Sequence, residues 1–351
     1  SRFFQRLAFH GLRVTLPEAR WADRLIYRVH FVLRHGRLPG PPRSFNDYLF
    51  GLKCSNDFMA ADRAFTSCKY FVKDFVSSRA GREHTVPTIA VLWSDEEIDA
   101  YEFPEDCCIK GVHTSGDVII RKNGSEVDRE ALKKWLRKNY YSRSREINYK
   151  NVRPGVIVEP LLFGGGPVND YKIFCVNGVP KLVQVDIDRL TNHKRAWYDV
   201  DWNKQDFSIA YPVYSKDVER PENLDDMLSL AQKVSAEWPF IRIDLYTDGE
   251  QCLVGEITHC HGGAGEVFTS PEGEDIAAQM LFGEDAFEKF IFLDTGEDKD
   301  AVLAEYKEDN PSQIKNLINN TFGALSTILL LVTTLALLFA PIFVMIFAPG
   351  F

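Results

Sequence analysis

No two of the seven cysteines are spaced as C-x-x-C, and their odd number, at positions 54, 68, 107, 108, 175, 252 and 260, sets out no disulfide framework. Reduced, intracellular thiols are the simplest reading. A GxxxxGK[ST] stretch is missing too, so any phosphate-binding loop here is not a Walker A motif. Nor is there an excess of basic charge: the formal net charge of −9 argues against nucleic acid as a partner. A shortage of apolar residues is also absent. At 45% hydrophobic over 351 residues the chain is no disordered tail and can bury a full core, in roughly two domains or lobes.

Long apolar runs are missing until the last part of the chain. Leu325–Phe347 carries no charge and is almost wholly apolar, and at ~1.5 Å per residue it is long enough to cross a ~30 Å hydrocarbon core. A transmembrane helix in the lipid bilayer is expected over 321–351, although Pro341 also suits a hairpin or a buried helix. Lys307 and Lys315 precede the run and no charge follows it. The positive-inside rule then favours a single-pass membrane protein whose main domain faces the cytosol. Asp294–Asn320 is acidic and polar, as expected of a stalk before the membrane. The chain opens at Ser1 rather than Met, which leaves room for a preceding targeting segment.

Residues 1–41 reverse the charge balance. Phe3, Phe4, Leu7, Leu12, Trp21, Leu25, Ile26 and Val29 recur with patchy helical periodicity among many arginines. Such a segment is either a membrane-surface or partner-docking helix or an amphipathic helix packed on the main domain. Leu38–Arg43 (LPGPPR) breaks it, and Ser44-Phe45-Asn46-Asp47 restarts a helix with capping chemistry. Asp62–Ser78, Asp128–Tyr140, Asn223–Trp238 and Asp275–Phe282 read as helices, Val86–Trp93 as a strand, and Trp197–Tyr214 as aromatic and irregular.

Lys110 closes an apolar run and is followed by Gly111, Ser115 and Gly116 before Val118–Arg121. Backbone amides in such a loop can bind phosphate oxygens while the ammonium neutralises charge; an ordinary β-hairpin loop fits the same residues. Val156–Leu162 reads as a buried strand interrupted by Glu159, either a nucleotide contact or a satisfied core acid. Asp170–Arg189 reads as two alternating strands around Asn177-Gly178, with Asp170, Lys172, Asp188 and Arg189 at the outer ends. By itself this hairpin establishes only antiparallel sheet.

Phe240–Gly265 carries the sharpest signal. Two apolar stretches, Phe240–Tyr246 and Cys252–Thr258, flank the turn-forming Thr247-Asp248-Gly249. Alternation puts Arg242 and Asp244 on one face, and Glu256 and Thr258 on one face of the partner strand. Ionised groups on an apolar hairpin are costly to bury unless they meet a metal or a counter-charge. Asp244 and Glu256 are therefore candidate Mg²⁺ ligands and Arg242 a candidate phosphate contact. A structural salt bridge on an edge hairpin competes with that reading. Thr258-His259-Cys260-His261 has poor spacing for zinc; a histidine there as a substrate contact or general base is the better of these two functional readings, and neither outweighs a structural role.

Taken in order, Lys110 with its glycine loop, Glu159, Asp170-Tyr171-Lys172, Arg189, Arg242-x-Asp244 and Glu256-x-Thr258 resemble an ATP-grasp nucleotide site. PPRSFNDYLFGLK near Pro42, the helix Asp62–Val76, VIVEPLL, DYKIFCVNG, FIRIDLY and VGEIT resemble blocks of the TupA-like ATP-grasp family, named for teichuronopeptide biosynthesis, from about Pro42 to Gly283. The resemblance implies an α+β fold over 42–293 in which two lobes clasp a nucleotide, with ATP and Mg²⁺ as cofactors. It implies Lys110 and Lys172 on phosphates, Gly111, Ser115 and Gly116 in the cradle, and Glu159 near adenine and ribose. Asp244, Glu256 and Thr258 would hold metal, and Arg242 and Arg189 would stabilise the transferring phosphoryl group or acyl phosphate. Thr258 stands where many ATP-grasp enzymes carry asparagine. The implied activity is a carboxylate–amine ligase acting on a polysaccharide or lipid-linked glycan through an acyl phosphate, which the expected transmembrane helix would anchor to the membrane. A sugar or polyol kinase using the same cleft, and a non-catalytic nucleotide-binding adaptor, are the alternatives.

Overall fold

Caps and breakers start and stop the helices, and tertiary contacts decide where they are cut. In a computed structural model, residues 2–40, 44–165, 170–188 and 192–283 are described. Helices α1 (Arg2–Thr15) and α2 (Arg20–His35) come first, α2 ending at Gly36, whose N–H returns to the Val32 carbonyl. Helix α3 (Phe45–Cys54) begins at Ser44, whose hydroxyl accepts the Asp47 N–H. The stretch Asp62–Ser78 is two helices rather than one, α4 (Ala61–Ser67) and α5 (Val72–Ala80). Between them the Lys69 N–H leaves the helical ladder to bond the Val112 carbonyl at 3.0 Å. A long-range bond here overrides local periodicity.

The next elements are β1 (Ala90–Leu92), α6 (Asp95–Ala100), β2 (Cys107–Gly111), β3 (Val118–Arg121), α7 (Arg129–Leu136), α8 (Tyr140–Ser144) and β4 (Val156–Glu159). Their strands form an antiparallel sheet in the order β1-β4-β2-β3. One face packs Cys107, Ile109, Val156 and Val158 on Leu132 and Trp135 of α7. The expected helix Asp128–Tyr140 stops at Leu136, and a second helix starts where Asn139 caps α8.

A larger sheet follows, made by β5 (Asp170–Val176), β6 (Val179–Ile187), β7 (Lys194–Asp199) and β8 (Lys204–Gln205), then, after α9 (Leu224–Ser235), by β9 (Phe240–Thr247) and β10 (Cys252–Thr258). Its order is β10-β9-β5-β6-β7-β8, and α10 (Pro271–Phe282) closes the described chain. Strand β7 corrects the start of the stretch Trp197–Tyr214, read as irregular, while most of the remainder has no regular structure beyond β8. Arg195 and Trp197 on one side and Ala196 and Tyr198 on the other are all buried, so no polar alternation marks it. The antiparallel hairpin expected around Asn177-Gly178 is formed by β5 and β6, and β5 lies in the middle of the sheet with every residue buried.

One face of this sheet is apolar throughout. Ile173, Val183, Ile241 and Ile243 pack there with residues of α5 and α9. The other face changes character along the strands. Phe174, Leu182, Trp197 and Phe240 pack with α3 and α10 at one end, and by the two-residue period the same face then presents Lys172, Asp186, Arg195, Arg242 and Asp244. Among the described residues no helix is long and apolar enough to cross a membrane. Leu325–Phe347, the stalk Asp294–Asn320 and Arg189 lie outside the described residues.

Candidate active site

Strand register assembles the charges. Lys172 faces Asp244 of β9 on one side and Gln184 of β6 on the other, and Asp186 pairs with Arg195 of β7. The buried Lys172 ammonium contacts the carboxylates of Asp170, Asp244 at 3.2 Å and Asp186 at 3.6 Å. Arg242 grips Asp244 with two bonds, Nε to Oδ1 at 2.6 Å and Nη2 to Oδ2 at 2.7 Å. It also donates to Thr258 Oγ1 at 3.0 Å and to His261 Nδ1 at 2.5 Å. His261 Nε2 lies 3.1 Å from Glu266, Glu266 pairs with Arg195 at 2.7 Å, and Arg195 donates to Asp186 at 3.0 Å. Lys172, Asp244, Arg242, His261, Glu266, Arg195 and Asp186 thus close into a ring.

Closure is what makes burial of so many charges tolerable, because every ion in it meets at least one counter-charge, and Lys172, Asp244, Asp186 and Arg195 meet one on each side. Burial alone would raise the Asp244 carboxyl, but Arg242 and Lys172 outweigh it and hold the group below the usual carboxylate range. In the same way burial pushes Asp186 up while Lys172 and Arg195 bring it down to about 2. Lys172, which burial would lower, is raised by Asp244 and Asp170. Burial lowers His261 despite Glu266, so its neutral ring accepts from Arg242 at Nδ1 and turns Nε2–H to Glu266.

Glu256 stands apart from the ring. It pairs in register with Asp244, and Thr258 with Arg242, across a bulge between Val254 and Glu256. The bulge lets both Val254 and Ile257 point to the apolar face while Glu256 and Thr258 point to the charged one. Gly255 makes it feasible, since a Cβ there would come 2.4 Å from the Tyr246 ring. The Glu256 carboxylate lines a cavity of about 560 Å³ and has no hydrogen-bond or ion-pair partner among the described residues. Lys172, Arg242, Asp244, Thr258 and Ser115 line the same cavity, and so do Arg13, Tyr27 and His30 of α1 and α2.

The remaining expected residues sit on the smaller sheet. Lys110 and Lys73 share Glu159, at 2.7 Å and 2.5 Å. Burial would raise Glu159, but the two lysines keep it low. Gly111 turns its N–H to the Asp117 carbonyl, and Gly116 takes a φ of +85° in the loop between β2 and β3. Lys110, Gly111, Gly116 and Glu159 do not line the cavity that holds the ring.

Residues 58–281, well over half of the chain, match TupA-like ATP-grasp. The chain belongs to the TupA-like ATP-grasp family. The family match starts after the PPRSFNDYLFGLK block, which therefore stands outside it along with α1 and α2. No curated protein matches the chain. Among solved structures, the ATP-grasp ligase PsnB in complex with a phosphomimetic precursor variant, Mg and ADP is 14% identical. That comparison covers 66% of this chain and 59% of PsnB, with a TM-score of 0.32. D-alanine–D-alanine ligase from Bacillus anthracis is 15% identical over 70% of each chain at a TM-score of 0.36. An L-amino acid ligase from Bacillus licheniformis is 15% identical over 56% of this chain and 44% of its own, at 0.31.

Several ring members of this ATP-grasp chain escaped the sequence reading. Asp186 and Arg195 were hidden in strands that look like ordinary core, and Glu266 in a glycine-rich loop; only β7, unread as a strand, would have brought Arg195 opposite Asp186. His259 has both ring nitrogens engaged, by Arg63 and Thr66 at 3.0 and 2.8 Å, and His261 meets Arg242 at Nδ1. No group of three or more His, Cys, Asp or Glu among the described residues is placed to hold a metal.

Proposed function

We propose that this chain is an ATP-dependent ligase that joins a carboxylate to an amine, releasing ADP and phosphate. The observation that carries the reading is the pair Asp244 and Glu256, opposed in register on one cavity, with Glu256 left without a protein partner. Two carboxylates and no third protein ligand suit Mg²⁺, which is commonly held by one or two carboxylates plus substrate phosphates and water. When bound there, Mg²⁺ supplies charge neutralisation and orientation to a polyphosphate. Thr258 keeps its hydroxyl on Arg242, so it orients the guanidinium.

The chain's own part is positioning and charge. Lys172, Arg195 and Arg242 are held in fixed geometry by the ring, so their positive charge is already in place when negative charge builds up on transferred phosphoryl oxygens. Lys110 and Lys73, with Glu159 between them, add a second cationic site on the smaller sheet for a nucleotide. The membrane-anchored form of this reading, with a glycan or lipid-linked acceptor at the cytosolic face, draws its support from the uncharged run Leu325–Phe347. The test is to incubate the full chain with Mg²⁺, ATP and a metabolite pool, and to follow ADP together with product mass. A condensation product requiring both amine and carboxylate supports the ligase; a gain of one phosphate on a hydroxyl compound would replace it with the kinase.

A further inference from the structure

The helices α1 and α2 lie outside the family match, yet their residues line the same cavity as the ring. They are fixed there by buried bonds. Asp23, fully buried on α2, accepts the Tyr141 hydroxyl at 2.8 Å and pairs with Arg145 at 3.2 Å. Arg145 in turn donates to the carbonyls of Arg13, Leu16 and Pro17, satisfying the open C-terminal end of α1. Arg34 and His35 bind the carbonyls of Gly265 and Ala264, just beyond His261.

Two arginines, Arg13 of α1 and Arg143 of α8, both line the cavity. Neither has a carboxylate within ion-pair reach among the described residues. Arg13 is held by the Arg143 carbonyl and lies 3.3 Å from His10 Nδ1, and its Nε is buried without a partner. Burial, then Arg143 and Arg145, lower its pKa, as expected of cations crowded together. Arg13 is part-buried and Arg143 exposed, and an anion between them would relieve their repulsion.

We propose that Arg13 and Arg143 form an oxyanion subsite that anchors a second anionic group, carboxylate or phosphate, of the substrate whose reacting end lies at the Asp244–Glu256 wall. The inference rests on the ligase reading for the identity of that substrate, but not for the existence of the subsite. Arginine suits the role because its planar fork meets either oxyanion with two donors.

The test titrates the full chain, with the nucleotide site filled by Mg²⁺ and ADP, against inorganic phosphate and separately against D-glucuronate, by calorimetry. At least one probe binds, and the Arg13→Gln/Arg143→Gln double variant weakens it by about tenfold or more while the affinity for ADP stays unchanged. Arg143→Gln alone, which removes no side-chain hydrogen bond among the described residues, weakens the same probe and guards against misfolding of α1. Phosphate binding alone identifies a phosphate-bearing group, and glucuronate binding alone a carboxylate. Failure of both probes to bind, or equal binding by parent and both variants, overturns the subsite. If ADP itself fails to bind, the ligase reading falls, and the same titrations without nucleotide still decide the subsite.

Discussion

The two faces of the larger sheet are built from the same strands with opposite chemistry. Ile173, Val183, Ile241 and Ile243 face α5 and α9 in a dry apolar layer. One residue along each strand, Lys172, Gln184, Arg242 and Asp244 face the other way, into charge. The apolar face contributes stability through area removed from water. The charged face gains little net stability from its pairs, since desolvation offsets their attraction, and its value lies in fixing donors around a cavity. Glu256 sharpens the contrast, because it belongs to the charged face and yet takes no part in the ring.

Breaking the ring should have the largest effect on folding. Asp244→Asn leaves Arg242 and Lys172 buried with one counter-charge fewer, and is expected to lower unfolding free energy by about 3–5 kcal/mol, measured by urea denaturation. On the apolar face, Ile243→Ala should cost about 3 kcal/mol through transfer and cavity terms while leaving the affinity for ADP at parental level; a matching loss of affinity would mean the two faces are not separable. Gly255→Ala should cost about 2 kcal/mol by forcing Tyr246 aside, and should disturb nucleotide binding because it shifts Glu256 relative to Asp244. The smallest effect is a pH dependence. The folded Asp186 carboxyl, brought to about 2 from an ordinary 3.8, contributes about 2 kcal/mol. That contribution is full above pH about 4 and is lost as the pH falls through about 2, so Asp186→Asn should flatten the acid limb of the stability profile.

Much of this was legible in the chain and some was not, for physical reasons. The hairpin Phe240–Thr258 announces itself by alternation around Asp248-Gly249, and Arg242, Asp244, Glu256 and Thr258 fall where alternation puts them. What alternation cannot tell is register: the bulge at Gly255 decides that Glu256 faces Asp244 rather than the core. Strand β7 was illegible because a strand buried on both faces lacks polar alternation, and with it went Arg195 and the ring's far side. The break at Cys68–Phe71 depends on a bond to Val112, distant in sequence. Arg13 was visible only as one arginine among many in a basic helix; its place on the cavity wall comes from Asp23, Tyr141 and Arg145, which no local pattern connects.

Glu256→Gln tests the central claim most directly, because the side chain has no protein partner to lose. The account predicts stability within about 0.5 kcal/mol of the parent, together with a fall in Mg²⁺-dependent ADP formation on the order of 10²–10³-fold. Parental ADP formation by a folded Glu256→Gln protein would contradict it.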